Sequence, residues 1–340
     1  MMVLHSRPAR HSKAVVFNCT ADHVWLACFV ADQIRCAEPE PGFDVCICTF
    51  KEPHSAVIEH FADVRFVQLR RAPFEGLSFD ETMPAAAYIR IAVPELFKDE
   101  YGQILYLDTD VYFRKGSVSQ LFQAANPDFA VSAVLDSPQW TSGSKSGFHA
   151  NYWQQLGVTG LKYLNSGVLV FNVDKYCKEE VYSQAIALAK RKKHCMVFYD
   201  QSLLNAVLRG NWHPMSLRWN WQMNQPYAPD LVRQMDPFLL HFAGTIKPFN
   251  PSRWDYATPY RSDYRKFLCR HLDIPLFPAG LRRSCAHDPG SDAMIVPWNW
   301  QNLALWARQK ALLFPRKWVL NKEILHVERL IAQGQPLWPR

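Results

Sequence analysis

In Gln103-Ile-Leu-Tyr-Leu-Asp108-Thr109-Asp110 an apolar run ends in two carboxylates. Spaced i and i+2 on an extended chain, they project to one face. At the carboxyl end of a buried strand such a pair can hold one hard divalent cation and leave coordination sites for phosphate oxygens and water. An Asp-x-Asp alone carries little weight, because chance supplies one in a chain of this length; the strand before it is what matters. A second group, His241-Phe-Ala-Gly244-Thr-Ile-Lys247, also follows an apolar run. Its imidazole can complete a carboxylate metal shell, its glycine lets backbone approach a phosphate, and its lysine can neutralise one. Alone, His241 would read as an ordinary buried or capping histidine. In Tyr163-Leu-Asn165-Ser-Gly-Val-Leu-Val-Phe-Asn172, an amide and an open backbone step precede a buried strand, and the same residues also read as a simple turn. Tyr199-Asp200-Gln201-Ser-Leu-Leu-Asn205 opens a helix, where N-capping would by itself explain Asp200.

These groups need a scaffold. Apolar runs at Ala14–Asn18, Phe43–Thr49, Arg65–Leu69, Gln103–Leu107 and Phe129–Leu135 predict buried strands. Helical spacing covers His23–Arg35, His54–Asp63 and Ala85–Phe97, the last kinked or ended by Pro94. A polar loop (Trp140–Ala150), the run Tyr163–Phe171, helices from Asp174 to about Lys193 and from Asp200 to Arg209, and the run Phe238–Phe242 follow. Such alternation predicts an α/β fold, a doubly wound and mostly parallel sheet, with ligands beyond the carboxyl ends of its strands. From Pro275 the texture becomes Pro-rich, with helices near Leu303–Phe314 and Val319–Ile331. The expected organisation is an N-terminal extension over 1–12, a catalytic domain over 13–274, and a basic, aromatic-rich helical extension over 275–340.

The 340 residues are 49% apolar, enough for one large core and an appendage. The net charge is +7, yet no Lys/Arg stripe runs through the α/β part, which argues against a nucleic-acid partner. The excess lies in the tail, where Arg308, Lys310, Arg316 and Lys317 stand without an acid between Gln301 and Leu320. Leu305, Trp306, Leu312 and Leu313 share one side of a helix there, making a candidate anchor on anionic lipid; core packing of that stripe is the plainer reading. Nine scattered cysteines without a Cys-x-x-Cys pair point to a reducing compartment rather than a disulfide scaffold. No apolar stretch follows the charged N-terminus, and no run approaches a membrane span. The expectation is a cytoplasmic protein, peripheral on the inner face of the cell membrane if the tail binds lipid.

In this order, with Ala86-Ala-Tyr-Ile-Arg90 upstream, the blocks resemble glycosyltransferase family 8, the retaining family of glycogenin and the bacterial lipopolysaccharide galactosyl- and glucosyltransferases. The resemblance runs from about Ala14 to Phe249. It implies a GT-A-type, Rossmann-like nucleotide-sugar-binding fold and transfer of a hexose from a UDP-sugar to a saccharide or glycolipid acceptor, in lipopolysaccharide or other surface-glycan synthesis. It implies that Asp108, Asp110 and His241 hold manganese, with magnesium as the alternative ion. Lys247 and backbone at Gly244 would hold the diphosphate; Arg90 would reach the donor sugar or a phosphate. Thr109 belongs to the same donor site, and Asn165 and Asp200 match residues that bond donor-sugar hydroxyls. Asp136 falls where the family contacts donor or acceptor sugar. Asn18, Thr20 and Asp22 align with the uracil end, where the usual acidic residue and stacking Tyr are replaced by Asn18-Cys-Thr-Ala-Asp22-His23-Val-Trp25, leaving His23 as the ring on offer. Gln201 matches the residue on the reacting face of the anomeric carbon. Its neutral amide is a poor nucleophile, so front-side attack is expected, with Asp200 as a transient nucleophile the alternative. Two other readings compete. A metal-dependent nucleotidyltransferase would carry a Gly-rich, basic loop after the first strand, which Asn18–His23 lacks. A silent sugar-nucleotide-binding protein would have no chemical need for the intact ligand set.

Overall fold

The computed structural model describes residues 3–69, 88–141, 148–158, 162–191, 197–249, 257–277 and 319–335. In chain order its elements are β1 (Val3–His5), β2 (Lys13–Asn18), α1 (Val24–Ala37), β3 (Asp44–Thr49), α2 (Ser55–His60), β4 (Val64–Leu69), α3 (Ile89–Leu96), β5 (Gln103–Leu107), β6 (Val111–Phe113) and α4 (Val118–Ala124). Next come β7 (Val131–Leu135), α5 (Phe148–Gln155), β8 (Leu164–Asn172), α6 (Val173–Lys178), α7 (Val181–Arg191) and α8 (Tyr199–Leu208). The remainder are β9 (His213–Pro214), β10 (Trp221–Gln222), α9 (Ala228–Met235), β11 (Leu239–His241), α10 (Thr258–Arg270) and a helix over 319–332, here α11.

The expected strands do form one sheet, joined at its edges by β1 and β9, which the sequence did not announce, in the order β1-β4-β3-β2-β5-β8-β7-β9. β4, β3, β2 and β5 run parallel. Ala14–Phe17 and Ile104–Leu107 are buried completely or nearly so, which is why these strands read as unbroken apolar runs. Each such side chain contributes about 1.5–3 kcal/mol of burial. β8 is reversed against both β5 and β7, so its first residues lie at the edge where β5 and β7 end. The β7–β8 register slips there: Ala133 pairs with Leu169 but Val134 with Asn165, so the backbone from Ser166 to Val168 bulges away from β7. A second, small sheet, β10-β11-β6, stands beside this edge.

α1 lies on α10 through the stacked rings of Phe29 and Tyr264, 3.9 Å between centroids. α3 packs against α6, α7 and α8; it runs only two residues past Pro94. The single helix expected from Asp174 is two helices, because Glu180 sits at φ 51°, a left-handed break between α6 and α7. α11 packs on the α/β part: Ile324 and Val327 are fully buried, and Glu328 accepts a hydrogen bond from Ser216 Oγ at 3.0 Å. The expected helix near Leu303–Phe314, with its basic residues, lies outside the described residues. Cys19, Cys28, Cys46 and Cys48 are buried free thiols. No described helix is long and apolar enough to cross a membrane.

Candidate active site

Register places the first two elements of the site. β2 and β5 are parallel neighbours with Phe17 opposite Leu107, so Asn18 and Asp108 leave the sheet side by side. Asp108 N–H donates to the Gly167 carbonyl at 2.9 Å and Asp136 N–H to that of Tyr163 at 3.0 Å, which fastens both strand ends to the start of β8. The small sheet adds the histidine. β6 and β11 pair Val111 with His241, and Phe242 N–H donates to the Asp110 carbonyl at 3.0 Å. Donor atoms of Asp108, Asp110 and His241 therefore lie within 4.8 Å of one another. His241 Nε2 is 3.3 Å from Asp110 Oδ1 and 3.9 Å from Asp108 Oδ2. Two carboxylates and one imidazole nitrogen form a mixed oxygen–nitrogen set that fits a divalent ion such as manganese, and suits magnesium less, since magnesium prefers oxygen ligands.

Cations flank this set. Arg90, on α3, meets Asp108 Oδ1 at 3.0 Å, Asp200 Oδ2 at 3.0 Å and the Ser166 carbonyl at 2.9 Å, with its guanidinium 4.9 Å from the Tyr106 ring centre. Burial opposes its charge, but Asp108 and Asp200 hold the guanidinium well above its usual range. Lys247 pairs with Asp110 and donates to the Phe242 carbonyl at 2.6 Å. Burial pushes the Asp110 carboxyl up, yet the Lys247 ammonium beside it outweighs that and keeps Asp110 far below the ordinary carboxylate range. Gly244, at φ 87°, is the left-handed step that turns the chain between His241 and Lys247. Thr109 lies in the turn joining β5 to β6, between the two carboxylates.

A buried amide cluster adjoins the carboxylates. Asn165 Nδ2 donates to Asp136 Oδ1 at 3.0 Å and to Gln201 Oε1 at 3.1 Å, and Ser166 N–H donates to the same Gln201 oxygen at 3.2 Å. Asp136 also bonds the Gln201 amide; burial nevertheless raises its carboxyl to about 6. Asp200 is not an N-cap: α8 has no side-chain cap, and the carboxylate instead accepts from Ser166 Oγ at 3.0 Å and from Arg90. Burial raises Asp200 despite Arg90. Tyr199 enters α8 at φ 48°, a strained conformation immediately before the two candidate catalytic residues.

At the far end, Ala21–His23 form a 3-10 turn after β2, with Thr20 Oγ1 and His23 Nδ1 3.3 Å apart and Asp22 exposed. Trp25 is core, edge-on to Phe249 and Phe277, so it presents no ring to a ligand. Thus Arg90, Asp108, Asp110, Asp136, Asn165, Asp200, Gln201, His241 and Lys247 form one connected network, while Thr20 and Asp22 stand apart from it among the described residues. Sequence reasoning missed three members. Tyr106, whose hydroxyl donates to Asp108 Oδ1 at 2.9 Å, looked like strand filler. Gly167 carries the close face of the His241 ring, and its only trace was the Ser-Gly step. Asn220, fully buried between two tryptophans, has no spacing that marks it.

A family model described as Glycosyl transferase family 8 matches residues 14–252. The chain belongs to glycosyltransferase family 8. Among similar proteins is General stress protein A of Bacillus subtilis (strain 168), 26% identical over 60% of this chain and 72% of its own length. The lipopolysaccharide glucosyltransferase WaaO of Escherichia coli (strain K12) is 26% identical over 50% of this chain and 51% of its length. The lipopolysaccharide 1,3-galactosyltransferase of Salmonella typhimurium is 27% identical over 48% of this chain and 49% of its length. The chain thus spans about half the length of the lipopolysaccharide transferases it matches. Among solved structures, galactosyltransferase LgtC with donor and acceptor sugar analogues superposes at TM-score 0.63 and 20% identity, over 79% of this chain and 99% of that one. That similarity identifies the family 8 member's fold as GT-A-type.

Proposed function

We propose that this family 8 glycosyltransferase moves a hexose from a UDP-sugar to a saccharide or glycolipid acceptor with retention of configuration, in lipopolysaccharide or other surface-glycan synthesis. One observation carries the reading: the carboxylate–imidazole set is joined to the Asp200–Gln201 pair by Arg90, between Asp108 and Asp200, and by Asn220 and Asn165, between His241 and Gln201. A divalent ion held by Asp108, Asp110 and His241, manganese with magnesium as the alternative, would offset charge on the departing diphosphate. Lys247 and backbone at Gly244 would bind that diphosphate, and Arg90 would bind donor phosphate or sugar. Thr109 would border the donor, and Asn165 and Asp200 would bond its sugar hydroxyls. Asn18, Thr20 and Asp22 would form the nucleoside end, and Asp136 would contact donor or acceptor sugar.

For the chemical step we favour front-side attack. The bond from C1 to the leaving phosphate oxygen breaks, the acceptor oxygen bonds C1 on the same face, and its proton passes to a leaving-phosphate oxygen. Gln201 is a neutral amide whose oxygen already accepts two hydrogen bonds, which suits it to positioning rather than nucleophilic attack. Asp200, paired with Arg90 and Ser166, is likewise engaged. We assign catalysis to 13–274, with 1–12 and 275–340 as extensions, and place the enzyme in the cytoplasm, held to anionic lipid by the basic tail.

Incubating the chain with UDP-galactose or UDP-glucose, manganese and a saccharide acceptor, then measuring UDP release and product anomers by proton NMR, tests this reading. The expected product is α-linked, and Asp110→Asn should cost turnover about 100-fold or more. No UDP release from either donor would sink the proposed donor class. A β-linked product would sink retention.

A further inference from the structure

We propose that Asn220 is the positioning residue that sets the tautomer of His241, so that Nε2 presents a lone pair to the two carboxylates; the inference rests on the metal-binding reading above.

Gly167 N–H can only donate, and it donates to Asn165 Oδ1 at 3.1 Å. That fixes the Asn165 amide, whose Nδ2 then faces Asp136 and Gln201. Ser166 N–H, another obligate donor, independently fixes the Gln201 oxygen toward Asn165, so the two amides agree in polarity. The Asn220 amide meets Asn165 Oδ1 at 2.8 Å. An acceptor there requires the Asn220 nitrogen on that side. Its oxygen is then left for His241, 3.0 Å from Nδ1. An amide oxygen can only accept, so Nδ1 carries the proton of the neutral ring and Nε2 does not.

This choice has consequences for ligation. Left to the carboxylates alone, the neutral ring would place its proton on Nε2, donating to Asp110 Oδ1 3.3 Å away. A ring in that form has no lone pair for a cation. The Asn220 oxygen biases the ring toward the ligating form, in the way that a hydrogen bond to the remote nitrogen orients metal-bound histidines generally. The residue is wholly buried and stands in the chain between Trp219, stacked on Phe238, and Trp221, tilted against Trp140, next to β10, whose Gln222 lies opposite His241. Its position is therefore set by the fold and not by a ligand.

The test uses the full-length chain, stripped of metal and labelled with 15N-histidine. Long-range 1H–15N spectra, with His241 assigned by comparison with His241→Gln, read the tautomer directly. The wild type should show Nδ1–H. Asn220→Leu should shift His241 toward Nε2–H and weaken Mn2+ binding, read by EPR of the free ion, by about 10–100-fold. Asn220→Asp, which keeps an acceptor beside Nδ1, should retain the Nδ1–H form and bind Mn2+ more tightly than the leucine variant. A wild-type ring protonated at Nε2 overturns the proposal without any variant. So does an Asn220→Leu chain that melts lower yet keeps both tautomer and Mn2+ affinity, since its role would then be packing alone. A wild-type Nδ1–H ring in a chain that binds no Mn2+ supports the tautomer assignment and overturns the metal reading instead.

Discussion

A methyl group on Gly167 would fall 2.3 Å from Cε1 of His241 and 2.8 Å from its Nδ1. The histidine ring therefore rests on bare backbone, and Asp108 Oδ2 would be only 3.0 Å from the same methyl. Gly167→Ala must push the imidazole, the carboxylate or the bulged backbone aside. The expected outcome is a folded chain destabilised by about 1–3 kcal/mol whose Mn2+ affinity, measured by calorimetry, drops at least tenfold. Unchanged affinity would mean that the ring position does not matter for the ion.

Arg90 is shared between Asp108 and Asp200, and only a planar, forked cation can serve both. Arg90→Met leaves Asp200 buried with no cation beside it among the described residues, and the melting temperature should fall by the equivalent of about 3–5 kcal/mol. Adding Asp200→Asn in the same chain should recover part of that loss, because the stranded charge is gone. Strict additivity of the two losses in chemical denaturation would argue that the pair is uncoupled.

Asp136 gives a pH signature. Its folded carboxyl titrates near about 6, above the unfolded value of 3.8, because burial disfavours its charge. With the folded value raised, stability is complete below the unfolded value, is lost as pH climbs to about 6, and stays lost above. The gap between 3.8 and about 6 corresponds to about 3 kcal/mol. Asp136→Asn should therefore melt higher than wild type at pH 8, with the difference vanishing toward pH 4. A constant difference across that range would exclude titration of Asp136 as its source.

Packing by the tail and its proposed lipid contact can be tested separately. Ile324 and Val327 are buried against the α/β part, so Ile324→Ala should cost about 2–5 kcal/mol in a denaturant melt. Reversing charge at Arg316 and Lys317 should leave the melt unchanged and weaken sedimentation with anionic vesicles, each basic residue contributing about 1 kcal/mol at a lipid surface. Wild-type binding to vesicles at both low and high salt by the charge-reversed chain would remove these two residues from any lipid contact.

Much of the scaffold was legible because burial leaves a local trace. β2, β3, β4, β5 and β7 are covered on both faces, and their apolar runs mark them to within a residue or two. The carboxylate pair was legible for the same reason, since a strand end followed by Asp108-Thr109-Asp110 is a local event. β11 falls within the run Phe238–Phe242, whereas β6, β9 and β10 are two or three residues long and exist only through their pairing, so no period announces them. The break at Glu180 likewise leaves no mark in the sequence, because a single left-handed residue does not disturb helical spacing.

By itself, the sequence determined the main alternation of long buried strands and helices, the chemical types in each block, and hence the family they resemble. Tertiary structure alone decided which of those types touch. Lys247 reaches Asp110 across 137 positions, and Asn220 reaches Asn165 across 55. It also decided that Asp200 answers Arg90 and Ser166 rather than capping its helix. The physical reason is that local spacing records which side of an element avoids water, whereas hydrogen-bond polarity and steric seats depend on partners supplied by the reversed β8 and the small sheet. Neither Gly167 nor Asn220 could be recognised before those elements were set beside the strand that ends at Asp108.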